Sequence, residues 1–406
     1  MARSAAAVAG VRPVRPARAS KRTSWGRAAA RSPLGRGWEA PALLLLTLAL
    51  LSAGLVMVYS ASAVMAQARG LPDYYFVVRQ ALGGALSLLV LVVCAQVDYR
   101  RLRFWAWPLL IAVVVLLVLT VIPGTHAIAP RINGARRWIG YGPLQLQPAE
   151  AAKLAVVVWT AMLAVKKQDR LPSLSRGLAP FLLVWGLVAG LILLQPNLSS
   201  ALLVLLLGAL VVFASGARIG HFIVLALVGL PILWNRVEAA AYRMRRITAF
   251  FDPSQDPAGI SYQINQSLIA VGSGGFLGRG FGRGLQKFGY LPEPHNDFLF
   301  SIIGEELGFV GVLALVVLFA LFALVGYRIA KQAPDLFGSI LALGLTNLIV
   351  VQGFLHMAVD MALLPTTGMT LPFMSYGRSS LLVCAAAVGV LMNIARAGER
   401  GAGGTT

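Results

Sequence analysis

The clearest candidate for chemistry in the sequence is Asp297, in the polar and basic stretch 262–306 of a largely apolar chain. It directly precedes an apolar run that starts at Phe298, a position that favours a helix N-cap, because Asp is a preferred capping residue. The positive end of a helix stabilises the carboxylate anion, whereas nearby apolar surface raises the carboxyl pKa and makes it a better base. The sequence therefore predicts a helix cap, a proton acceptor, or one residue in both roles. His295 is a second candidate acid or base.

The same stretch contains a run of glycines without the spacing of a nucleotide-binding loop, and no strand precedes them. They either bring backbone N–H groups close to an anion or a sugar, or form a flexible re-entrant loop. The sequence also lacks HExxH, P-loop and GxSxG motifs, which leaves protease, NTPase and hydrolase functions unsupported. The glycines are Gly272, Gly274, Gly275, Gly278, Gly280, Gly282 and Gly284.

Several ionisable side chains fall inside apolar segments, where each costs roughly 2.5–3.5 kcal/mol on insertion scales. Glu150 and Lys153 share a helix face at i, i+3 spacing. They either neutralise each other at a helix entrance or belong to a binding site. Glu305 is predicted to lie about 80° around its helix from Asp297 and so to face the same cavity. Glu306, about 180° from Asp297, is predicted to face another helix.

The other reactive side chains in apolar segments are interpreted as structural. His356 and Asp360 form an i, i+4 pair, and a single buried histidine is more often a satisfied core residue than a ligand. Cys94 and Cys384 have neither metal-ligand spacing nor the pattern of a disulfide framework, and are predicted to be buried thiols.

The elements that position these residues must be membrane helices. The chain is 58% hydrophobic and only 12% charged, with a mean hydropathy of +0.77, which excludes a soluble globular fold. We predict an all-α polytopic integral membrane protein with ten transmembrane helices. The spans are expected at about 41–64, 74–97, 104–123, 148–165, 177–195, 198–215, 219–234, 298–329, 336–362 and 379–395.

Basic residues near the span ends predict the orientation. The first forty residues hold nine Lys and Arg, and further basic residues follow every second span, so both termini are predicted to be cytoplasmic. The domain prediction is a disordered basic tail at 1–40, a ten-helix domain at 41–395 with an extracytoplasmic catalytic loop at 235–297 between helices 7 and 8, and a C-terminal tail at 396–406. The composition of the first forty residues also fits a transit peptide.

The opposite face retains positive charge against this bias. Long loops cross the membrane whatever their charge, which explains the loop after span seven but not the short pair Arg136-Arg137. Because the planar guanidinium group pairs well with phosphate, the sequence predicts an anionic ligand at this face. The residues are Arg131, Arg136, Arg137, Arg236, Arg243, Arg245, Arg246, Arg279, Arg283, Lys287 and Arg378.

Six segments together resemble the SEDS family (shape, elongation, division and sporulation), and they favour its division branch over its elongation branch. They are Asn133-Gly-Ala-Arg-Arg-Trp-Ile139, Gln147-Pro-Ala-Glu150 with Lys153, Tyr262-Gln263 with Gln266-Ser-Leu-Ile-Ala270, Leu291-Pro-Glu-Pro-His-Asn-Asp297-Phe, Gly304-Glu-Glu-Leu-Gly308 and Thr367-Gly-Met-Thr-Leu-Pro-Phe-Met-Ser-Tyr-Gly377. The resemblance implies a peptidoglycan glycosyltransferase that polymerises lipid II, a disaccharide-peptide on undecaprenyl pyrophosphate.

The resemblance also implies roles for particular residues. Asp297 would deprotonate the 4-hydroxyl of N-acetylglucosamine for an inverting displacement, and basic side chains would stabilise the pyrophosphate leaving group. A divalent cation such as Mg²⁺ or Mn²⁺ could share that work, although no ligand cluster requires one. The predicted substrate-binding residues are Arg136, Arg137, Glu150, Lys153, Gln266, Arg283, Lys287, His295, Glu305, Ser375 and Arg378.

The resemblance places the protein in the bacterial cytoplasmic membrane at the division septum. Its implied partners are the nascent glycan strand, a class B penicillin-binding protein transpeptidase and other division proteins, and no nucleic acid. Four positions depart from the family pattern: Asn197 stands where Asp is common, Ser199 where Gly is common, Asn296 where Thr is commoner, and Arg378 where a second glycine is common. The competing functions are a lipid II flippase, an elongation-type polymerase and a scaffold for division proteins.

Overall fold

The structure, a computed structural model, describes residues 37–132, 134–140, 145–238, 241–252 and 259–403. Within these ranges the chain forms twelve α-helices and no β-strand longer than an isolated bridge. They are α1 (Glu39–Ala68), α2 (Tyr75–Gln96), α3 (Leu102–Val121), α4 (Pro148–Lys166), α5 (Ala179–Leu194), α6 (Leu198–Ala214), α7 (Ile219–Glu238), α8 (Ala241–Phe251), α9 (Ile260–Ser273), α10 (Leu299–Gln332), α11 (Leu336–Asp360) and α12 (Arg378–Gly403).

The all-α membrane fold is confirmed, and each of the ten predicted apolar segments coincides with a helix. Among the described residues, eight helices are long and apolar enough to cross a membrane. Helix α6 (Leu198–Ala214) and the apolar part of α7 (Ile219–Pro231) are shorter. Residues 1–36 of the predicted N-terminal tail and 404–406 of the C-terminal tail lie outside the described residues. Helix α12 continues to Gly403, well into the predicted C-terminal tail.

The loop predicted at 235–297 is not irregular throughout, because it contains α8 and α9. In α9 every third residue from Ser261 to Ala270 is buried, namely Ser261, Ile264, Ser267 and Ala270. This spacing places them on one helical face, and α9 packs against α10. The prediction missed this helix because its buried face includes two serines, which weaken the apolar signal.

Helices α4 and α11 form the centre of the bundle. In each, 78% of the most apolar 18-residue window is buried, against 28% in α3 and 33% in α2. Small residues allow the close approach: Gly344 of α11 lies against Val157 of α4 and Val211 of α6. The outer helices instead expose large apolar side chains such as Leu82, Phe104 and Leu324, as a lipid-facing surface requires.

Helix α10 is broken at Gly308, where φ is 65° and ψ is −160°. The backbone groups around the break bond to the glycine run. Phe309 N–H donates to Gly275 O at 2.9 Å, and Gly280 N–H donates to Glu306 O at 3.0 Å. Backbone groups released from a membrane helix must find partners within the protein. The glycine run supplies them and so forms a backbone-to-backbone clamp. One of its amides, Gly282 N–H, also donates to the carboxylate of Glu306 at 3.0 Å, so a backbone group of the run approaches an anion, as one of the two predictions states.

The clamp explains why glycine is required at Gly278. Its φ is +80°, and a Cβ added there would stand 2.1 Å from Glu306 O. We expect Gly278→Ala to lower the unfolding temperature of the detergent-purified protein, with a loss of at least about 1–3 kcal/mol from backbone strain alone.

The matched control is Gly272→Ala. Gly272 lies in α9, and a Cβ added there has nothing within 4 Å. This substitution should leave stability unchanged or raise it by up to about 1 kcal/mol through helix propensity. Equal losses in both variants would contradict the clamp.

Candidate active site

Asp297 lies at one end of the bundle, immediately before α10, and its side chain makes no hydrogen bond to the described residues. It is partly exposed but largely surrounded by protein. Gly368 flanks it: a methyl group added to that glycine would stand 3.8 Å from Asp297 Oδ2. Burial raises the pKa of Asp297 to about 7, and the positive charges of Arg246 and Arg137 oppose the rise. A free carboxylate with this pKa can accept a proton near neutral pH.

The prediction that Asp297 caps α10 is wrong. The residue before the first turn is Phe298, and no side chain of its own segment caps the helix. The carboxylate of Asp360, at the end of α11, accepts from Ser301 N–H at 3.1 Å and from Ser301 Oγ at 3.2 Å instead. A cap supplied by another helix leaves Asp297 available for chemistry.

The two adjacent arginines of the predicted anion site point in different directions. Arg137 donates from Nε to Gln195 O at 3.0 Å and acts electrostatically on Asp297. Arg136 donates to Ile122 O at 3.2 Å and contacts His126, both in the segment that follows α3. Of these two adjacent arginines, therefore, only Arg137 contributes charge at the Asp297 carboxylate.

The segment between α11 and α12, residues 361–377, forms one wall of the site and is anchored by polar side chains from several helices. Arg246 of α8 donates to Thr366 O at 2.9 Å, and Gln80 of α2 donates to Ser375 O at 3.0 Å. Ser375 itself accepts from Leu371 N–H at 2.9 Å, which closes a turn within the segment. The predicted site residue Ser375 is thus a structural residue of this wall.

Glu150 and Lys153 form a buried ion pair of 2.7 Å, as their spacing predicts. Lys153 Nζ also donates to Gln352 Oε1 at 2.6 Å, and Gln352 Nε2 donates to Thr370 O at 2.9 Å. The pair therefore joins the centre of the bundle, α4 and α11, to the wall beside Asp297.

Glu305, Glu306 and Lys287 belong to the clamp. Glu305 accepts from Leu285 N–H at 2.7 Å and from Gln286 N–H, so it holds the chain that follows the glycine run. The prediction that it faces the same cavity as Asp297 is wrong. Glu306 pairs with Lys287 at 2.8 Å and accepts from Ser60 of α1. The prediction that Glu306 faces another helix is confirmed. Lys287, predicted to bind substrate, is engaged by this buried carboxylate.

His295 anchors the segment that leads to Asp297, through both its ring and its backbone. The imidazole packs between Phe76 and Tyr376, with ring centroids 4.7 and 5.4 Å away, and His295 O accepts from Tyr376 N–H at 3.0 Å. Burial lowers the pKa of His295 to about 4, so the ring is neutral at pH 7. Glu293, at the start of this turn, has a left-handed φ of 47° and accepts from Asn296 N–H.

Three further predicted site residues are placed without contact to Asp297. Gln266 is half-buried on α9, and Arg283 is exposed at a turn of the clamp. The side chain of Arg378 packs on Gly83 of α2, where a Cβ would meet Arg378 Cγ at 2.8 Å. Asn197, where the resemblance leads us to expect Asp, caps α6 by accepting from Ser200 N–H, a task that both residue types perform.

The sequence indicated Arg246 only as one of eleven basic residues in the predicted anion site. It did not indicate Asp360 as a site residue. Asp360 was visible as a partner of His356, but nothing in the sequence indicated that it reaches α10. In the part of the chain that the structure describes, no group of three or more His, Cys, Asp or Glu side chains converges to hold a metal ion.

The family model and the curated relatives that match this chain belong to one protein family. Residues 41–400 match the family model described as the cell cycle protein family of FtsW, RodA and SpoVE. The chain is 44% identical to a probable peptidoglycan glycosyltransferase FtsW of Trichlorobacter lovleyi, over 87% of this chain and 92% of that protein. It is 42% identical to stage V sporulation protein E of Bacillus subtilis, over 87% and 96%.

Solved structures show the same architecture. A chain from a peptidoglycan synthase complex that coordinates polymerization and crosslinking superposes with a TM-score of 0.72 and 32% identity, over 89% of this chain and 98% of the other. The rod shape determining protein RodA of Thermus thermophilus superposes with a TM-score of 0.64 and 31% identity, over 89% and 97%.

Proposed function

The chain belongs to the family of cell cycle proteins that includes FtsW, RodA and SpoVE, and we propose from this that it is a peptidoglycan glycosyltransferase that polymerises lipid II during septal wall synthesis. The sequence resemblance to this family is confirmed. Relatives more than 40% identical are named peptidoglycan glycosyltransferases. The observation that carries the catalytic assignment is Asp297, an unpaired carboxylate with a pKa raised to about 7 beside two arginines.

The proposed reaction is a single inverting displacement. Asp297 accepts the proton of the 4-hydroxyl of N-acetylglucosamine on one substrate. The oxygen then bonds to the anomeric carbon of the lipid-linked strand, and the bond from that carbon to the pyrophosphate oxygen breaks. Arg137 and Arg246 stabilise the negative charge that develops on the departing undecaprenyl pyrophosphate. The buried Glu150–Lys153 pair holds the wall beside Asp297.

The proposed setting is the bacterial cytoplasmic membrane, with ten spans and both termini in the cytoplasm. In this proposal the ten spans are the eight long apolar helices and the two shorter apolar segments in α6 and α7. This orientation puts Asp297 on the outer face, where a lipid carrying an exported disaccharide is presented. A class B penicillin-binding protein is the proposed partner, in line with the structural similarity to a chain of a peptidoglycan synthase complex.

The proposal is tested by giving fluorescent lipid II to the purified protein together with a class B transpeptidase. We expect glycan strands that are resolved as a ladder on a gel. In parallel, the protein is reconstituted in vesicles with lipid II, and the lipid reaching the opposite leaflet is measured. Translocation without polymer would replace the glycosyltransferase by a flippase, and neither activity would leave the scaffold function.

The pH dependence follows from the pKa of Asp297. The base must be deprotonated, so the rate should rise through about pH 7 and fall about tenfold per unit below it. Arg246 lowers this pKa and Glu293 raises it. Arg246→Gln should therefore shift the acid limb to higher pH, and Glu293→Gln to lower pH. Shifts of the same sign in both variants, measured by polymerisation between pH 5 and 9, would contradict the assignment.

Arg137 and Arg136 provide a matched comparison for the anion site. We expect Arg137→Gln to reduce kcat/KM for lipid II by about 10²-fold, because a charged donor near the leaving group is lost. Arg136→Gln removes the same charge at the neighbouring residue, but the contacts of Arg136 are with Ile122 and His126, so a change below threefold is expected. Equal losses of steady-state polymerisation in the two variants would contradict the proposal that Arg137, and not Arg136, acts at the leaving group.

A further inference from the structure

The last turn of α11 lies directly behind Asp297. Asp360 is fully buried there, and its Oδ2 accepts two hydrogen bonds from Ser301, the third residue of α10. The Phe300 amide and the charge of Asp297 also act on Asp360. The second and third N–H groups of a helix are the ones that a capping side chain normally satisfies. Asp360 therefore performs the task that the sequence assigns to Asp297.

His356, one turn earlier on α11, ties the same helix to the other wall of the site. Its Nδ1 lies 2.7 Å from Met369 O and so carries the proton in that bond. Met369 follows Gly368, the residue beside Asp297 Oδ2. His356 and Asp360 together fix the first turn of α10 on one side of Asp297 and the wall segment on the other.

The pair is built at a cost to stability. His356 Nε2 and Asp360 Oδ1 are buried without a hydrogen-bond partner, and Nε2 lies 3.6 Å from Asp360 Oδ2. Buried unsatisfied polar groups are rare and each costs roughly 1–3 kcal/mol. Two serines extend the arrangement, since Ser267 of α9 donates to Asp360 O and contacts Ser301 Oγ, both at 2.6 Å.

We propose that Asp360, supported by His356, is the positioning residue of Asp297: it caps α10 from a neighbouring helix and so keeps the Asp297 carboxylate out of the helix terminus. Without Asp360, the N–H groups of the first turn of α10 would be open to Asp297, the carboxylate that immediately precedes the N-cap residue Phe298 in the chain. Bonds from backbone N–H groups favour the anion and make it a weaker base. The proposal rests on Asp297 being the base of the proposed polymerisation.

The charged groups that face these residues limit the interpretation of a pH profile. Asp297 is influenced by Arg246 from α8, Arg137 from the loop after α3 and Glu293 from its own turn. Asp360 faces His356 on its own helix and Asp297 across the gap to α10. None of the three groups around Asp297 is altered by a substitution at Asp360. Both Asp360→Ala and Asp360→Asn remove the carboxylate that faces Asp297, so a difference between the pH profiles of these two variants reports the bonds made by the Asp297 carboxylate.

The first test compares polymerisation by the full-length protein with Asp360→Ala and Asp360→Asn. We expect Asp360→Ala to reduce kcat at least tenfold, to leave KM within twofold and to move the acid limb down by about one pH unit or more. Asp360→Asn keeps an acceptor for Ser301 and should restore the limb to its wild-type position. A loss of activity in Asp360→Ala with an unmoved acid limb would overturn the proposal.

The second test needs no activity and so separates this proposal from the proposed function. The unfolding temperature is measured for Asp297→Ala in the wild-type and in the Asp360→Ala background. Asp297→Ala should not destabilise the wild type, in which the carboxylate makes no hydrogen bond. It should destabilise Asp360→Ala, in which Asp297 has become the cap. Equal effects in the two backgrounds would overturn the proposal even if the protein polymerises lipid II.

Discussion

Asp297→Asn is expected to reduce the rate of lipid II polymerisation by about 10²–10⁴-fold, the contribution typical of a general base. Asparagine has nearly the same size and leaves the neighbouring Gly368 contact in place, but it cannot accept the hydroxyl proton. Because the side chain makes no hydrogen bond to the described residues, little else is lost. The measurement is single-turnover transfer with labelled lipid II at pH 8, where the wild-type carboxylate is ionised.

The same substitution should leave the protein at least as stable as the wild type. The pKa of Asp297 is about 7 in the folded protein against an ordinary value of 3.8, so the folded state binds the proton more tightly. The stability that the folded protein gains from this protonation is present at low pH and is lost as pH rises from about 4 to 7. Asparagine does not ionise, so the Asp297→Asn variant avoids the cost of a buried carboxylate anion. It should therefore unfold at a temperature equal to or higher than that of the wild type at pH 8. Below about pH 4 the difference should vanish.

Glu293→Gln is the matched control, since it removes a carboxylate four residues earlier in the same turn. It should retain activity at pH 8, because its charge only adjusts the pKa of Asp297. If Asp297→Asn polymerised lipid II at the wild-type rate, the general-base role would be lost. If it were inactive only because it had unfolded, the unfolding temperature would show this.

The membrane helices were predictable from sequence because hydropathy acts over a whole segment and tolerates local exceptions. The break at Gly308 was not, because the run that forms α10 is apolar apart from Glu305 and Glu306 near the break, and the compensating partner is a glycine run about thirty residues earlier. Glycine lacks a side chain that would indicate its role, and only the 2.1 Å approach at Gly278 shows why it is needed. Helix α9 was missed for a related reason, since serines line part of its buried face.

The candidate site was predictable only where a residue's role depends on its immediate neighbours in sequence. Asp297 and the Glu150–Lys153 pair met that condition. Glu305 looked like a site residue because it is a charge in an apolar segment, and Lys287 because it is a basic residue in the loop predicted to lie on the outer face. Their actual partners come from tertiary contacts. Asp360, in contrast, did not look like a site residue and proved to lie at the site. Its role was not predictable because its partner Ser301 lies 59 residues away in sequence.

Lys287→Met is expected to be the most destabilising single change discussed. It leaves Glu306, which is fully buried, without its cation, and breaking one partner of a buried pair typically costs about 3–5 kcal/mol. Ser60 Oγ and Gly282 N–H would still donate to the carboxylate but cannot neutralise it. The measurement is thermal unfolding in detergent, with the exchange of the 279–287 amides as a local readout.

The double variant Lys287→Met with Glu306→Gln distinguishes the loss of charge balance from the loss of packing. Removing both charges should recover part of the stability lost in Lys287→Met, because the uncompensated buried anion is gone. Glu305 still binds Leu285 and Gln286 in this variant, so the clamp retains one anchor. Polymerisation should recover with it, since the clamp supports the chain that leads to Asp297. A double variant no more stable than Lys287→Met would mean that the lysine acts through its contacts with Ser60 and Gly282 and not through charge.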